Sequence, residues 1–454
     1  MKRLFFSAWL AFSLALIPAL TRADPSTPPM KAVATPQVTY VLKTAVGPFG
    51  MAFIGVGGTI DGQHNPTLHV PMHAQVHIQI LDGDGSLHNL AIPTFHVQSS
   101  NLTGPQSRTE VTFAADQAGQ FDYYCNIPGH RMVGMAGKLV VGTPKVSDQA
   151  SLPDLSRAAD DLPPPLGARG PRHVTFHLIT SERQGRLANG TAFTFWTFNG
   201  KVPGPLLRAK VGDTITVELH NDAHSSMTHS IDLHAVSGPG GGAGLMQVPP
   251  GHTQAFTFKA LHAGLFVYHC ATPMVAEHIA NGMYGMILIE PRQGLPKVAH
   301  EYYVMQGEVY TREAFEQPGE AHTDTAAIVD EHPTYVVFNG SVGALTQLHP
   351  LRARTGQTLR VFFGVGGPNL TSSFHVIGMV MKEAWIGGSL ANPPLHGMQT
   401  LSVPPGSALM VTLATPVPGT YLIVDHALGR LNQGMGASLV VTGKNTPEDF
   451  HSGH

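Results

Sequence analysis

Short runs of alternating apolar and polar residues recur along this chain, and they predict β-strands. Gln75–Ile80 alternates in this way, and so does the run Val211–Leu219. Side chains of a strand point to its two faces in turn, so such runs describe strands with one buried face. Turn-forming residues separate them, with 50 glycines and 36 prolines among 454 residues. We therefore expect an all-β protein built from sandwiches.

The length favours three domains, at roughly 150 residues each. We place them at residues 36–143, 171–293 and 294–443, with a proline-rich linker at 144–170 and a tail at 444–454. The linker composition predicts an extended, semi-rigid spacer. Phe338-Asn339-Gly340 repeats Phe198-Asn199-Gly200, which indicates that the third domain duplicates the second.

The first residues predict export. Lys2 and Arg3 precede an apolar run from Leu4 to Leu20, and small residues follow, so we expect residues 1–23 to be a signal peptide and the mature protein to be periplasmic. A membrane anchor is the alternative for this run. The net charge of −3 gives no reason to expect nucleic acid as a partner.

One stretch carries the strongest chemical signal. Cys270, His278 and Met283 follow the spacing C-x7-H-x4-M. A thiolate, an imidazole and a thioether are the ligands that a blue-copper site takes from one loop, and a second histidine must come from an earlier strand. His269 directly precedes the cysteine, so in a strand its side chain points to the opposite face. There it could bind a second metal, one peptide link away from the first.

Strand parity sorts the earlier histidines between the two faces. His229 and His234 differ by five positions and therefore face opposite ways, whereas Asp232 and His234 differ by two and share a face. His229 can complete the inner set with Cys270. His234 and Asp232 can point outward with His269.

The first domain carries its own ligand set. Cys125, His130 and Met135 follow C-x4-H-x4-M, and His88 is the expected fourth ligand. His96 and Met132 are weaker alternatives to His88 and Met135. Tyr124 precedes this cysteine, so no second metal is expected beside it. A disulfide between the only two cysteines would destroy both sites, and we expect two copper thiolates instead.

The third domain has no cysteine and cannot hold a copper thiolate. His375 and His426 could face a neighbouring site, although each could also be an ordinary hydrogen-bonded histidine.

The pair His269-Cys270, the pattern H-x-x-D-x-H from His229 to His234 and the later histidines closely resemble copper-containing nitrite reductases over residues 171–443. The first domain resembles a blue-copper cupredoxin, so the whole chain is similar to a fused three-domain form. The resemblance implies three tandem cupredoxin-like Greek-key β-sandwich domains with two type 1 coppers and one type 2 copper per chain.

The resemblance also implies a role for each candidate residue. The core type 1 copper would be held by His229, Cys270, His278 and Met283. The N-terminal type 1 copper would be held by His88, Cys125, His130 and Met135. The type 2 copper would be held by His234, His269 and His426. Asp232 and His375 would handle protons, and Ile377 would shape the substrate pocket.

The implied enzyme reduces nitrite to nitric oxide with one electron and two protons. It would work as a homotrimer, or a multiple of it, fed by a periplasmic donor such as a cytochrome c or a cupredoxin. A multicopper oxidase is the nearest alternative, but Cys270 is followed by Ala271 where that family's trinuclear centre needs a histidine. A pure electron carrier is the other alternative, and it leaves the outward-facing histidines without a role.

Overall fold

The computed structural model describes residues 36–47, 50–131, 133–142, 152–444 and 448–451. The all-β prediction is confirmed, because the regular structure of the described chain consists mainly of strands arranged in sheets, with only short helices. The predicted signal peptide, Met132 and part of the linker lie outside the described residues. In the ranges described, no helix is long and apolar enough to cross a membrane.

The first domain is a sandwich of two sheets, with strand orders β2-β1-β4-β7 and β3-β9-β8-β5-β6. In β4, Val76, Ile78 and Ile80 are buried while the polar residues between them are half-buried, as the alternation predicts. 3₁₀ helices span Gly58–Ile60 and Pro93–Phe95. The strands are β1 (Gln37–Gly47), β2 (Gly50–Gly55), β3 (Leu68–Val70), β4 (Gln75–Leu81), β5 (Ala91–Ile92), β6 (Val97–Gln98), β7 (Arg108–Ala114), β8 (Gly119–Tyr124) and β9 (Ala136–Val141).

The second domain is built in the same way. Its strands are β10 (His173–Ala188), β11 (Thr191–Phe198), β12 (Leu207–Lys210), β13 (Thr214–Asn221), β14 (Asp232–Leu233), β15 (Thr253–Lys259), β16 (Gly264–His269) and β17 (Tyr284–Glu290). A 3₁₀ segment spans Pro239–Leu245, and the helix α1 (Val275–Ala280) lies in the loop between β16 and β17. One sheet has the order β12-β17-β16-β14, which places β14 beside β16.

The third domain has the sheet orders β20-β18-β22-β26-β24 and β21-β28-β27-β23-β25, with β19 lying outside them. A helix α2 (Thr325–Val329) and a 3₁₀ helix, Leu428–Gln433, lie between strands. The strands are β18 (His300–Val309), β19 (Gly319–Ala321), β20 (Tyr335–Phe338), β21 (Leu351–Arg354), β22 (Thr358–Gly367), β23 (Ser372–Val376), β24 (Met381–Ile386), β25 (Thr400–Val403), β26 (Ala408–Ala414), β27 (Gly419–Asp425) and β28 (Ala437–Thr442).

The second and third domains share structure as well as sequence. Strand β19 pairs in parallel with β11, so the third domain adds an edge strand to a sheet of the second. The repeated Phe-Asn-Gly turns carry equivalent hydrogen bonds: Asn199 Oδ1 accepts from the Ile179 amide at 2.7 Å, and Asn339 Oδ1 accepts from the Met305 amide at 2.8 Å. These matched contacts support the predicted duplication.

The described part of the linker is packed against the two following domains. Leu155 and Ala159 are buried in different hydrophobic clusters. Arg157 donates through Nε to the carbonyl of Pro203 at 2.9 Å, and Arg208 donates to the carbonyl of Pro163 at 2.8 Å. These contacts fix the segment to the core, and it contains a turn in which the Asp161 amide donates to the Ala158 carbonyl at 3.0 Å.

The first domain contacts the core through the loop that follows Cys125. Arg131 forms ion pairs with Asp122 of its own domain and with Glu316 of the third domain. Its guanidinium also lies 4.1 Å from the centre of the Tyr124 ring, a cation–π geometry. A cavity of about 250 Å³ lies at this contact, lined by Cys125 and by residues of the third domain around Val342 and Leu431.

Candidate metal centres

The inner ligands of the second domain meet at one buried point. Metal-binding atoms of His229, Cys270 and His278 all lie within 4.8 Å of one another. Cys270 Sγ is 3.2 Å from His278 Nδ1, and the two histidine Nδ1 atoms are 3.3 Å apart. All three side chains are buried.

Met283 closes the same loop. The Cys270 amide donates to the Met283 carbonyl at 3.0 Å, and the Met283 amide donates to the His278 carbonyl at 3.1 Å. The methionine is fully buried and directly precedes β17. These backbone bonds place it next to both loop ligands, which suits it to the weak axial position of a blue-copper site.

A carboxylate is hydrogen-bonded to one histidine of the core cluster, which consists of His229, Cys270 and His278. His229 Nε2–H donates to Glu182 Oε1 at 2.9 Å, which leaves Nδ1 as the nitrogen that faces the cysteine. Burial raises the pKa of Glu182, but hydrogen bonds from Ser225, from the Ser226 amide and from His229 outweigh it and hold that pKa below its usual value. Glu182 is therefore an anion behind the ligand.

Both core histidines are kept neutral, the form in which imidazole binds a metal. Burial lowers the pKa of His229 below its ordinary value, and burial together with the charge of His229 lowers the pKa of His278 to about 4. His278 Nε2 is buried and has no hydrogen-bond partner among the described residues. The Trp196 ring packs edge-on against this imidazole, with centroids 4.7 Å apart, and covers it from solvent.

The first domain contains a similar cluster of one cysteine and two histidines. Metal-binding atoms of His88, Cys125 and His130 lie within 4.8 Å of one another, and the two Nδ1 atoms are 3.1 Å apart. His88 Nε2–H donates to Asp84 Oδ1 at 3.1 Å. Burial and the charge of His88 lower the pKa of His130 to about 4. The Cys125 amide donates to the Met135 carbonyl at 3.1 Å, so Met135 is placed as Met283 is.

The alternative ligands for this domain have different outcomes. His96 ends a 3₁₀ helix in a left-handed conformation with φ of 52° and does not belong to the metal-binding group formed by described residues. Met132 lies outside the described residues.

The outward residues of the second domain form a separate group. Asp232, His234 and His269 gather within 4.8 Å, and Asp232 pairs with His269 across strands β14 and β16. The two Nε2 atoms are 3.2 Å apart. His234 Nδ1–H donates to the Gly406 carbonyl and His269 Nδ1–H donates to the Cys270 carbonyl, at 3.0 and 2.9 Å. Both Nε2 lone pairs are therefore free to bind a metal.

His375 and His426 form a second histidine pair on the third domain. Their ring centroids are 5.3 Å apart, and His375 Nδ1–H donates to the Gln399 carbonyl at 2.8 Å. His426 is exposed, as is 43% of Ile377. Within the described part of one chain, His426 does not join the group formed by His234 and His269. One chain therefore does not assemble the implied three-histidine set.

Three residues that touch the candidate ligands were not predicted from the sequence. Asp84 lies four positions before His88, so a local search for a carboxylate could have found it. Glu182 lies 47 positions before His229, and Trp196 lies on β11, so only the folded structure brings them to the core cluster.

Known protein families match two parts of the chain. A family described as multicopper oxidase matches residues 180–294. A family described as copper binding proteins of the plastocyanin/azurin type matches residues 67–142. Each match includes the cysteine of one buried cluster, and this agreement supports copper as the metal at both.

Full-length relatives are more specific. A copper-containing nitrite reductase of Neisseria meningitidis serogroup A is 42% identical over 292 residues, which cover 64% of this chain and 75% of the relative. That of Neisseria gonorrhoeae is also 42% identical, covering 64% and 74%. The copper-containing nitrite reductase of Alcaligenes xylosoxydans xylosoxydans is 37% identical, covering 60% and 90%.

Solved structures agree on the architecture. A copper nitrite reductase from Nitrosomonas europaea superposes with a TM-score of 0.55 at 33% identity, covering 61% of this chain and 96% of that one. A multicopper oxidase superposes with a TM-score of 0.54 at 22% identity, covering 65% and 99%. Because its sequence identity is low, the match to the multicopper oxidase shows only that the fold is shared.

Proposed function

The chain belongs to the copper-containing nitrite reductase family, and on that premise we propose that it reduces nitrite to nitric oxide at a histidine site shared between subunits. The observation that carries the proposal is the pairing of two metal-binding groups on adjacent residues. Cys270 belongs to the buried cluster and His269 to the exposed one, and His269 Nδ1 is hydrogen-bonded to the Cys270 carbonyl.

The donor sets fit copper. Each buried cluster offers one sulfur, two imidazoles and a nearby methionine, and each first histidine has its second nitrogen held by a carboxylate. The exposed pair offers free Nε2 atoms and needs one more ligand. We infer two type 1 coppers and one type 2 copper per chain, with the ligand sets expected from the sequence.

Copper, when bound, supplies the redox chemistry, because it exchanges single electrons and a site with three imidazoles leaves a position open for a small anion. The protein must supply the rest of the balance: nitrite, one electron and two protons give nitric oxide and water. The residues beside the exposed histidines are suited to the proton steps.

Asp232 and His375 are the proposed proton donors. Asp232 lies opposite His269 and within 4.8 Å of both type 2 histidines, so its carboxyl group can reach an anion held there. His375 uses Nδ1 to bond the Gln399 carbonyl, which leaves Nε2 to hold and deliver a proton. Ile377 lies directly after β23 and is partly exposed, so it would offer an apolar surface near His375.

The divided histidines support an assembly. His234 and His269 lie on one domain, whereas His426 and His375 lie on another and do not join them in one chain. We propose that His426 of a neighbouring subunit completes the site in a homotrimer or a multiple of it, because closed threefold symmetry repeats one such interface. The predicted signal peptide supports export to the periplasm, where a cytochrome c or a cupredoxin would be the donor.

A nitrite-dependent nitric oxide assay on copper-loaded protein tests the function, with metal content measured on the same sample. We expect nitric oxide at a rate that scales with the third copper per chain. Copper-replete protein that makes no nitric oxide contradicts the proposal. Five coppers per chain with oxygen consumption indicates an oxidase, and two coppers without turnover indicates a carrier.

Complementation tests the shared site. Chains with His234→Ala and chains with His426→Ala should each be inactive alone. Unfolded and refolded together, they should regain part of the wild-type activity, because some sites then receive intact residues from both chains. Zero recovery in oligomers shown to contain both chains contradicts a site between subunits.

A further inference from the structure

The three domains repeat one framework at the end of a strand pair. In each domain, one residue of a strand pairs with a residue of the next strand, and a loop connects the two strands. A methionine of that loop lies two positions before the second paired residue. The pairs are Tyr123↔Gly137, Tyr268↔Gly285 and Ile423↔Ala437. Two positions beyond the first member lie Cys125, Cys270 and Asp425. The methionines are Met135, Met283 and Met435.

Of two loop hydrogen bonds, one repeats and the other keeps its donor position but changes its acceptor on the methionine. The Cys125 amide donates to the Met135 carbonyl, and the Asp425 amide donates to Met435 Sδ at 3.0 Å. The Met135 amide donates to the His130 carbonyl, and the Met435 amide donates to the Arg430 carbonyl at 3.3 Å. The third domain therefore carries D-x4-R-x4-M where the first carries C-x4-H-x4-M, with equal spacing.

The opposite side of the framework matches too. The amides of Asn89 and Ser230 donate to the cysteine sulfurs of their domains, each at 3.4 Å. The amide of Ser373 donates to Asp425 Oδ1 at 2.9 Å. The residue before each amide is His88, His229 and Ser372 in turn, and Ser372 Oγ is buried with no hydrogen-bond partner in the described structure.

An ion pair fills this position in the third domain. Asp425 Oδ2 accepts from Arg430 Nη1, and Arg430 Nη1 also donates to the Thr371 carbonyl at 2.7 Å. The carboxylate is fully buried and the guanidinium is 20% exposed. In this register Asp425 occupies the position of the cysteines and Arg430 that of His130, and the two side chains form an ion pair.

We propose that the Asp425–Arg430 ion pair is a metal-free counterpart of the thiolate copper clusters and that it positions His426 and His375 for the type 2 copper. The inference rests on the proposed function, since it takes His426 as a type 2 ligand.

The contacts explain how the ion pair would act on both histidines. Asp425 Oδ1 accepts from the amides of Ser373 and Ala427, so it fixes the chain on either side of His426. The His426 amide donates to the Ser373 carbonyl at 2.8 Å. Ser373 lies on β23 together with His375, and Arg430 holds Thr371 just before that strand. One ion pair therefore ties together the segments that carry the two rings.

The test compares Arg430→Met, Asp425→Asn and the double variant in assembled, full-length protein. The double variant removes both charges, so no lone charge stays buried. Chelator competition should show type 2 copper affinity falling by about 10- to 100-fold, the usual cost of losing a residue that orients a metal ligand. The type 2 electron paramagnetic resonance signal should also change, and the KM for nitrite should rise.

Three controls separate this effect from general damage. Both thiolate–copper absorptions should stay unchanged, Arg430→Lys should recover part of the affinity, and Arg352→Met at an exposed arginine of the same domain should behave as wild type. Variants that keep wild-type type 2 affinity and spectrum overturn the inference. A wild-type protein that binds no type 2 copper overturns the proposed function instead.

A second variant tests the equivalence itself. Ser372→His, Asp425→Cys and Arg430→His together rebuild the ligand set around the native Met435. We expect one additional thiolate–copper absorption and one more copper per chain. A folded variant with both native absorptions and no additional one shows that the third position is not a counterpart of the other two.

Discussion

The two cysteine clusters share one inner design and differ on their outer faces. Both have a first histidine bound to a carboxylate, and both return through a buried methionine. Outside the core cluster lie Asp232, His234 and His269. The matching positions in the first domain, counted from His88 and Cys125, are Ala91, Pro93 and Tyr124. The outer metal-binding group is therefore found beside the second-domain cluster, and the first domain has other residue types at the matching positions.

The clusters also differ in their burial and in their distance from a contact between domains. His278 is fully buried beneath Trp196, whereas His130 is only half-buried. The cavity beside the first cluster is lined by Cys125 together with residues of the third domain. Burial limits contact between the core cluster and large partners, and the N-terminal cluster is placed at a domain boundary. This difference supports electron delivery as the role of the first domain.

Removing one cysteine at a time should give the largest contrast. Cys270→Ser should abolish the core thiolate–copper absorption and reduce nitrite turnover to background, because His269 then loses its electron source. Cys125→Ser should remove only the other absorption, and turnover with a small artificial reductant should largely survive. Absorption spectra and nitric oxide production measure both effects. Equal loss of turnover in a folded, copper-loaded Cys125→Ser protein contradicts the division of roles.

Changing the outer face should have the next largest effect. Asp232→Asn keeps the size of the side chain but removes its proton, and we expect turnover to fall by about 10²-fold, the scale of a positioned acid or base. His375→Ala should act in the same direction and alter the pH profile. Copper content should be unchanged in both. Wild-type rates with an unaltered pH profile rule out the proton roles.

The carboxylates that accept hydrogen bonds from His229 and His88 can be replaced by the corresponding amides, one in each domain. Glu182→Gln should weaken copper binding at the core cluster by about 10- to 100-fold, and Asp84→Asn should do so at the first domain, because each loses the anion that orients one ligand. Each substitution should leave the other site unaltered, so each site is the control for the other. Chelator titration followed at both thiolate absorptions separates them. Equal weakening of both sites by either variant contradicts a local role.

Residue type and spacing were sufficient to predict which side chains of the two cysteine clusters gather in the folded chain. C-x4-H-x4-M and C-x7-H-x4-M identify loops whose ends lie together in the folded domain. Parity separated His229 from His234 correctly, even though β14 contains only Asp232 and Leu233. Hydrogen bonds at both ends hold the irregular stretch in an extended form, so the alternation of side chains survives.

Features that depend on distant contacts were not predictable in the same way. Glu182 reaches His229 only because β10 passes behind the cluster. The separation of the two residues along the sequence does not predict this contact. The pattern D-x4-R-x4-M was visible but lacks metal-binding residue types, so a search for ligands passes over it. His234 and His269 lack a third histidine among the described residues of one chain. If the proposed neighbouring subunit supplies it, the geometry of a single chain cannot reveal that ligand.

Acid stability of the copper-free protein should give the smallest contrast. The pKa of His278 falls to about 4 in the folded chain against an ordinary value of 6.5, and that of His229 is also lowered, in both cases first through burial. The unfolded chain therefore binds protons more readily. The stability contributed by neutral histidines is complete above about pH 6.5 and is lost as the pH falls toward 4.

The first domain should respond less. Its His130 has a similarly lowered pKa of about 4, but it is half-buried and thus partly screened by solvent. Urea unfolding followed by pulse hydrogen exchange at one labelling pH resolves the domains. Between pH 7 and 5, the midpoint for residues 171–293 should fall more than that for residues 36–143. His278→Gln should reduce the difference, because that side chain no longer titrates. An equal or larger fall in the first domain contradicts the assignment of the more deeply buried histidines to the core.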